Sequence, residues 1–260
     1  MKIGVCTTPE NLPLLCELGY DYFEANFSYV AALSDEEFAA ASALVAASPI
    51  KAETFYVFFP ASIQLYAPDG DTTQILEKIA AYCEHGFPRA AAWGGKLVVI
   101  GSGYVRAIRE DMTREETERQ FVKVVATVAE IAARYGMRVV IEPLSRGECN
   151  FIHTVGEAAT IARKTERDGA GALVDFYHFW SNKEELPTLS SHRELLYHAH
   201  FARKGDRKPP HECDEESLRS AAEALAACDK VERISLECAW DDFESDVRRA
   251  RPLMEIFKTV

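Results

Sequence analysis

Basic residues are in short supply: 29 lysines and arginines stand against 41 aspartates and glutamates, a formal net charge of −12 with histidines neutral. Sequence-independent binding to nucleic acid needs a basic stripe that neutralises phosphates. Here the cations are dispersed among acids, so no nucleic-acid partner is expected. Long apolar runs are missing too. None approaches the roughly 20 residues that span a bilayer, and strand-like sequence begins at Lys2 with no signal-peptide pattern before it. No membrane partner and a cytoplasmic location are the expectations. The seven cysteines include no C-x-x-C pair, which speaks against a zinc ribbon and, with the odd count, against a disulfide framework. Reduced thiols are expected; Cys6, Cys149 and Cys238, near predicted strand ends, either line a pocket or, the better reading, are small buried hydrophobes. Low-complexity tracts and long linkers are also absent.

What is present alternates. Short β-like runs occur near 2–6, 21–26, 51–56, 96–101, 138–142, 172–176, 195–201 and 233–237, with helix-like or loop segments between them. Eight strands alternating with helices predict a closed parallel (β/α)8 TIM barrel, and 260 residues suit one such α/β domain spanning 1–260. The clearest helix covers 114–135, where Phe121, Val124, Val125, Val128, Ile131, Ala132 and Tyr135 keep one apolar face. Thr113 with Glu116 forms a capping-box pattern before it, and Gly136 can stop it in the left-handed conformation. Ser34/Glu37 and Thr154/Glu157 repeat the start signal for helices near 35–47 and 155–165. Irregular stretches at 57–70, after Gly101 and at 203–213 follow predicted strands, which puts them on the catalytic face of a barrel.

Four strand-like segments in the second half each end near a metal-binding side chain: Glu142, Asp175, His200 and Glu237. The strand ends of a parallel barrel converge on one cavity, so these four predict one divalent-metal site across its mouth. Three carboxylates and one imidazole suit Mn²⁺ or Mg²⁺, accept Co²⁺, and suit zinc less. Their −3 against a +2 ion leaves negative charge in excess, freeing a carboxylate to act as a base. An ion chelated by a carbonyl and neighbouring hydroxyl would acidify the adjacent C–H and stabilise an enediolate.

These residues resemble the sugar isomerase and epimerase branch of the xylose-isomerase-like TIM barrels, which includes ketose 3-epimerases and hydroxypyruvate isomerase. Residues 142–151, EPLSRGECNF, look like that branch's E-P-L-N-R-x-E-x-x-F run, Asp175 to His178 like its D-x-x-H, and the second histidine of His198-Ala199-His200 like its ligand. The resemblance implies Glu142, Asp175, His200 and Glu237 as metal ligands and Glu142 and Glu237 as the acid/base pair. His178 would contact substrate, or else bond a loop carbonyl; read from the residues alone, Glu148 either joins it or pairs with Arg146 on a solvated turn, and Trp240 is a candidate pocket wall. One departure stands out: where epimerases usually carry Arg, six residues past the ligand His, this chain has Asp206. A one-residue insertion would restore Arg207 as the substrate contact.

His198 shares the pleat face of His200 and is expected to pack behind it. Glu24 and Glu53 are read either as hydrogen-bond partners of a sugar or of the ligand His, or as solvated strand-end carboxylates. The implied activity is proton transfer beside the carbonyl of a small keto-sugar, with Mn²⁺ as the ion. A sugar phosphate stays open through Arg203, Lys204, Arg207 and Lys208, and so does self-association into a homo-oligomer. Competing readings are an inosose-type dehydratase on the same scaffold, an AP-endonuclease-like nuclease, and a non-enzymatic binding barrel.

Overall fold

The computed structural model describes residues 1–259. Its strands are β1 (Lys2–Cys6), β2 (Tyr22–Asn26), β3 (Ala52–Tyr56), β4 (Leu97–Ile100), β5 (Arg138–Ile141), β6 (Ala170–Asp175), β7 (Leu196–Phe201) and β8 (Arg233–Leu236). They pair in chain order, all parallel, and β8 returns to β1 to close the barrel. Each predicted run is a strand, with ends moved by at most two residues.

Strand residues two apart share a face, and that parity divides the core. Ile3, Val5, Phe23, Ala25, Phe55, Val98, Ile100, Val139, Ile141, Ile234 and Leu236 pack outward against the helices. Leu97, Val99, Val140, Leu173 and Tyr197 form a separate small cluster. One step further along β4, β5 and β6 in the same parity stand Gly101, Glu142 and Asp175, so the barrel lumen changes from apolar to polar toward the C-terminal ends of the strands.

The helix starts follow local chemistry. Ser34 and Thr154 each make a complete capping box, with Glu37 and Glu157, for helices Asp35–Ala47 and Val155–Lys164. Before Arg114–Arg134 the box is half made. Thr113 Oγ1 accepts the Glu116 N–H at 3.2 Å, but the Glu116 carboxylate turns to Arg119 and to Gln120 Nε2. Gly136 ends this helix at φ 68°.

Glu184 adds an acceptor at the start of Val155–Lys164. Its Oε2 takes the Val155 N–H at 3.0 Å, while Oε1 is buried without a partner. Burial, only partly offset by the Val155 hydrogen bond and reinforced by the charge of Glu157, pushes its pKa up to about 7 from 4.5. The unfolded chain therefore loses this proton first, and stability falls as pH rises between about 4.5 and about 7. Glu184→Gln keeps the acceptor and carries no charge. Thermal melts are expected to show the variant more stable than wild type at pH 8 and equal to it below pH 4.5; a pH-independent difference would contradict the assignment.

Candidate metal centre

Glu142 and Glu237 lie one residue beyond β5 and β8, Asp175 ends β6, and His200 is the penultimate residue of β7. Register places them together: Asp175 pairs with His200, and His200 with Ser235, two residues before Glu237. His200 Nδ1 is 3.3 Å from Glu237 Oε2, 3.7 Å from Glu142 Oε1 and 3.9 Å from Asp175 Oδ2. All four residues offer ligand atoms within 4.8 Å of one another.

The chemistry of this cluster fits a divalent cation. Glu142 Oε1, Asp175 Oδ2 and His200 Nδ1 are buried with no hydrogen-bond partner, and burying unpaired polar atoms is costly. Burial, followed by the charges of Glu142 and Glu237, pushes the Asp175 carboxyl up to about 8. At His200 burial opposes the imidazolium, but Glu24, Glu142 and Glu237 outweigh it and raise the pKa. Crowded carboxylates are calling for positive charge, which an ion at this point supplies.

The side chains of the cluster are held from behind. His200 Nε2 lies 3.1 Å from Glu24 Oε1, and donation there leaves the Nδ1 lone pair facing the cluster. Glu24 is fully buried; its Oε2 also meets His198 Nε2 at 2.8 Å and accepts from Ser235 Oγ at 2.5 Å. Tyr22 OH reaches Ser235 Oγ at 2.7 Å. Burial alone would raise the Glu24 pKa, yet His200 and His198 hold it well below the ordinary value. Asp175 caps the Phe176–Ser181 helix, its Oδ1 accepting the His178 N–H at 3.0 Å, which frees Oδ2 for the centre. Glu142 occupies space that only glycine leaves: a Cβ on Gly101 would stand 1.9 Å from its Oε2.

The remaining sequence candidates gather at the same mouth. Ser145 N donates to His178 Nδ1 at 3.1 Å, so the ring proton sits on Nε2, which has no partner and lies 3.9 Å from Glu142 Oε1. Burial lowers the His178 pKa to about 4, keeping the ring a neutral donor. Arg207, in the left-handed region at φ 55°, gives Nη2 to Glu237 at 2.9 Å and Nη1 to Glu148 at 3.3 Å, above the Tyr177 ring. Asp206 instead pairs with Arg203. Glu148 is thus tied to Arg207 and not to its neighbour Arg146. Trp240, half-buried, lines a cavity of about 510 Å³ with Tyr56, Arg207 and Glu237.

Two expectations change. Glu53 lies near the opposite end of the barrel, bonded to Lys2 and to Arg233 Nε at 2.6 Å, and has no part in the site. Cys6 and Cys238 are more than filler, since both line the Trp240 cavity, although burial pushes both thiols well up and keeps them protonated. Sequence reasoning missed Gly101, Ser235, Tyr22 and Tyr56. For Ser235 the available signal was its parity with Glu237 on β8, and for Tyr22 its parity with Glu24 on β2; Tyr56 and Gly101 stand at the ends of strands that carry no residue of the cluster.

A family model described as xylose isomerase-like TIM barrel matches residues 12–208, and the chain belongs to that family. Among curated proteins, an inosose isomerase of Bacillus subtilis (strain 168) is 27% identical over 106 residues, so the match spans 38% of each chain. Among solved structures, D-psicose 3-epimerase from Clostridium cellulolyticum H10, determined with D-tagatose, superposes with a TM-score of 0.80 at 18% identity, covering 100% of this chain and 99% of that one. The IOLI protein with a binding zinc atom gives 0.68 at 18% identity, covering 100% and 96%. At these identities the structures establish the shared fold.

Gly101→Ala provides a direct check on the centre. The added methyl meets the end of a flexible side chain, so the Glu142 carboxylate gives way while the backbone stays. Calorimetric titration with Mn²⁺ is expected to show affinity reduced at least about tenfold with little change in Tm; unaltered affinity would remove Glu142 from the ligand set.

Proposed function

We propose that this chain is a divalent-metal-dependent isomerase or epimerase of a small keto-sugar or related polyhydroxy carbonyl compound. The observation that carries this reading is the convergence of Glu142, Asp175, His200 and Glu237, three of them with buried unpartnered ligand atoms, beneath an open cavity. The isomerase and epimerase names of the relatives support the reaction class.

Mn²⁺ is the ion we assign, on the strength of three oxygen donors and one imidazole; zinc in the IOLI protein shows that a relative's barrel can hold another. When bound, the ion supplies Lewis-acid stabilisation of negative charge beside the carbonyl. The rest is done by side chains. Glu142 and Glu237 come from β5 and β8 and approach a substrate from different sides, one taking the carbon-bound proton and the other returning one. His178, neutral with its proton on Nε2, donates to a substrate oxygen. Arg207 orients Glu237 and Glu148 and offers its guanidinium to substrate hydroxyls.

An unphosphorylated substrate agrees best with the cations at the mouth. Arg203 is committed to Asp206, Lys208 to Asp241, and Arg207 to the two glutamates. Among the described residues, that leaves Lys204 as the one of the four without an ion pair that could meet a phosphate.

Three measurements test the reading. In D₂O the product is expected to carry deuterium at the inverted or isomerised carbon, with unchanged mass apart from the label; loss of water from the product would indicate a dehydratase. Glu142→Gln and Glu237→Gln are each expected to lower kcat by about 10²–10⁴, because an amide reaches an ion but shuttles no proton. Full activity in either would reject the two-carboxylate mechanism. Asp175→Asn, which keeps shape and removes a charge, is expected to weaken Mn²⁺ binding while preserving the fold; unchanged affinity by calorimetry would place Asp175 outside the centre.

A further inference from the structure

Tyr104 is 85% exposed, against 49% for Tyr29 and 45% for Leu44, the other large apolar side chains open to solvent. A tyrosine ring held almost bare is unusual, and this one stands at a junction. It lines the inner cavity of about 370 Å³ together with Gly101, Glu142 and Glu237. It also lines an outer groove of about 910 Å³ with Ala61, Gln64, Ile108 and Arg109. Both fall within the roughly 300–1,000 Å³ of small-molecule sites, and the inner one alone has room for a single sugar ring. The groove is built by the segments following β3 and β4, on the same barrel face as the metal centre.

The charge of the groove narrows its occupant. Among the described residues Arg109 is the only cation lining it, and it is spent on Asp111, which accepts from Nε and Nη2 at 2.9 and 3.0 Å. Glu110 adds a further carboxylate. A phosphate or carboxylate would meet net negative charge, whereas a neutral ring with an apolar face and hydroxyl edges finds an aromatic platform beside polar groups.

We propose that the substrate is a keto-sugar carrying a second, neutral sugar ring: the keto ring lies over the metal centre and the second ring rests on Tyr104 in the outer groove. This rests on the isomerase reading above and specifies its substrate class.

The test compares a disaccharide whose ring ketone lies away from the anomeric carbon, so that the carbonyl stays free, with the methyl glycoside of the same keto-sugar on the Mn²⁺-loaded protein, following solvent-deuterium exchange. The disaccharide is expected to show kcat/KM at least tenfold higher, carried by KM. Tyr104→Ala should raise its KM about tenfold. Ala61→Trp, an exposed substitution on the wall of the outer groove, should do the same while exchange into the methyl glycoside stays within twofold. Saturation-transfer NMR on metal-free protein gives a readout independent of turnover: protons of the second ring should be saturated, and lose that signal in Tyr104→Ala. Equal kcat/KM for the two substrates, or an unchanged disaccharide KM in both variants, overturns the groove assignment while exchange into the methyl glycoside leaves the isomerase reading standing. Exchange into neither overturns both.

Discussion

A carboxylate with no exposure to water sits inside the barrel, and the site depends on how it is satisfied. Removing a carboxylate from water costs several kcal/mol even after relaxation, and Glu24 offsets that with two imidazoles and a hydroxyl on strands that are not its neighbours. The contacts link β2 to β7 and β8 across the lumen. Gly4 keeps the space for this arrangement, since a Cβ there would stand 2.4 Å from the Tyr22 ring whose hydroxyl completes the chain through Ser235. Because Glu24 takes the Nε2 side of His200, the other nitrogen has only one direction left to face, toward the three acids.

Those acids are arranged at the expense of one another. Asp175 is pushed up to about 8 by burial and by Glu142 and Glu237, while Glu237 goes the other way. Its burial is outweighed by His200 and Arg207, which bring it down to about 2. One group of like charges thus contains a reluctant carboxylate and an eager one, a split of the kind found at functional clefts. Arg207 contributes from a backbone turn, its carbonyl accepting the Ala239 N–H at 2.7 Å, so the loops after β7 and β8 are stitched together directly over Glu237.

Much of this was legible in the sequence where the cause is local. Runs such as RVVI and LVVI end in strands within a residue or two of their predicted limits because β-branched residues and flanking turns are short-range signals. Ser34–Glu37 and Thr154–Glu157 behaved as written for the same reason. The four residues of the candidate centre were visible because each lies within a residue of a strand's C-terminal end. Glu24 and Glu53 show where that ends: two strand carboxylates, one buried against histidines and one bonded to Lys2 and Arg233 near the far end of the barrel. What separates them is position along the strand and parity of the pleat, which depend on the register of neighbours distant in sequence. Glu148 teaches the same lesson, since its partner is Arg207, 59 residues away, and not Arg146 two residues away. Tyr104 carries no signal at all, because exposure of an aromatic is decided by the loops around it.

The central claim is that four strand ends hold one ion. Anomalous diffraction from crystals grown with Mn²⁺ tests it most directly. The account predicts one manganese peak per chain within about 2.0–2.6 Å of donor atoms from Glu142, Asp175, His200 and Glu237, with His200 bound through Nδ1 and its Nε2 still on Glu24. A peak elsewhere, an ion bound through His200 Nε2, or no ion at saturating Mn²⁺ would contradict it.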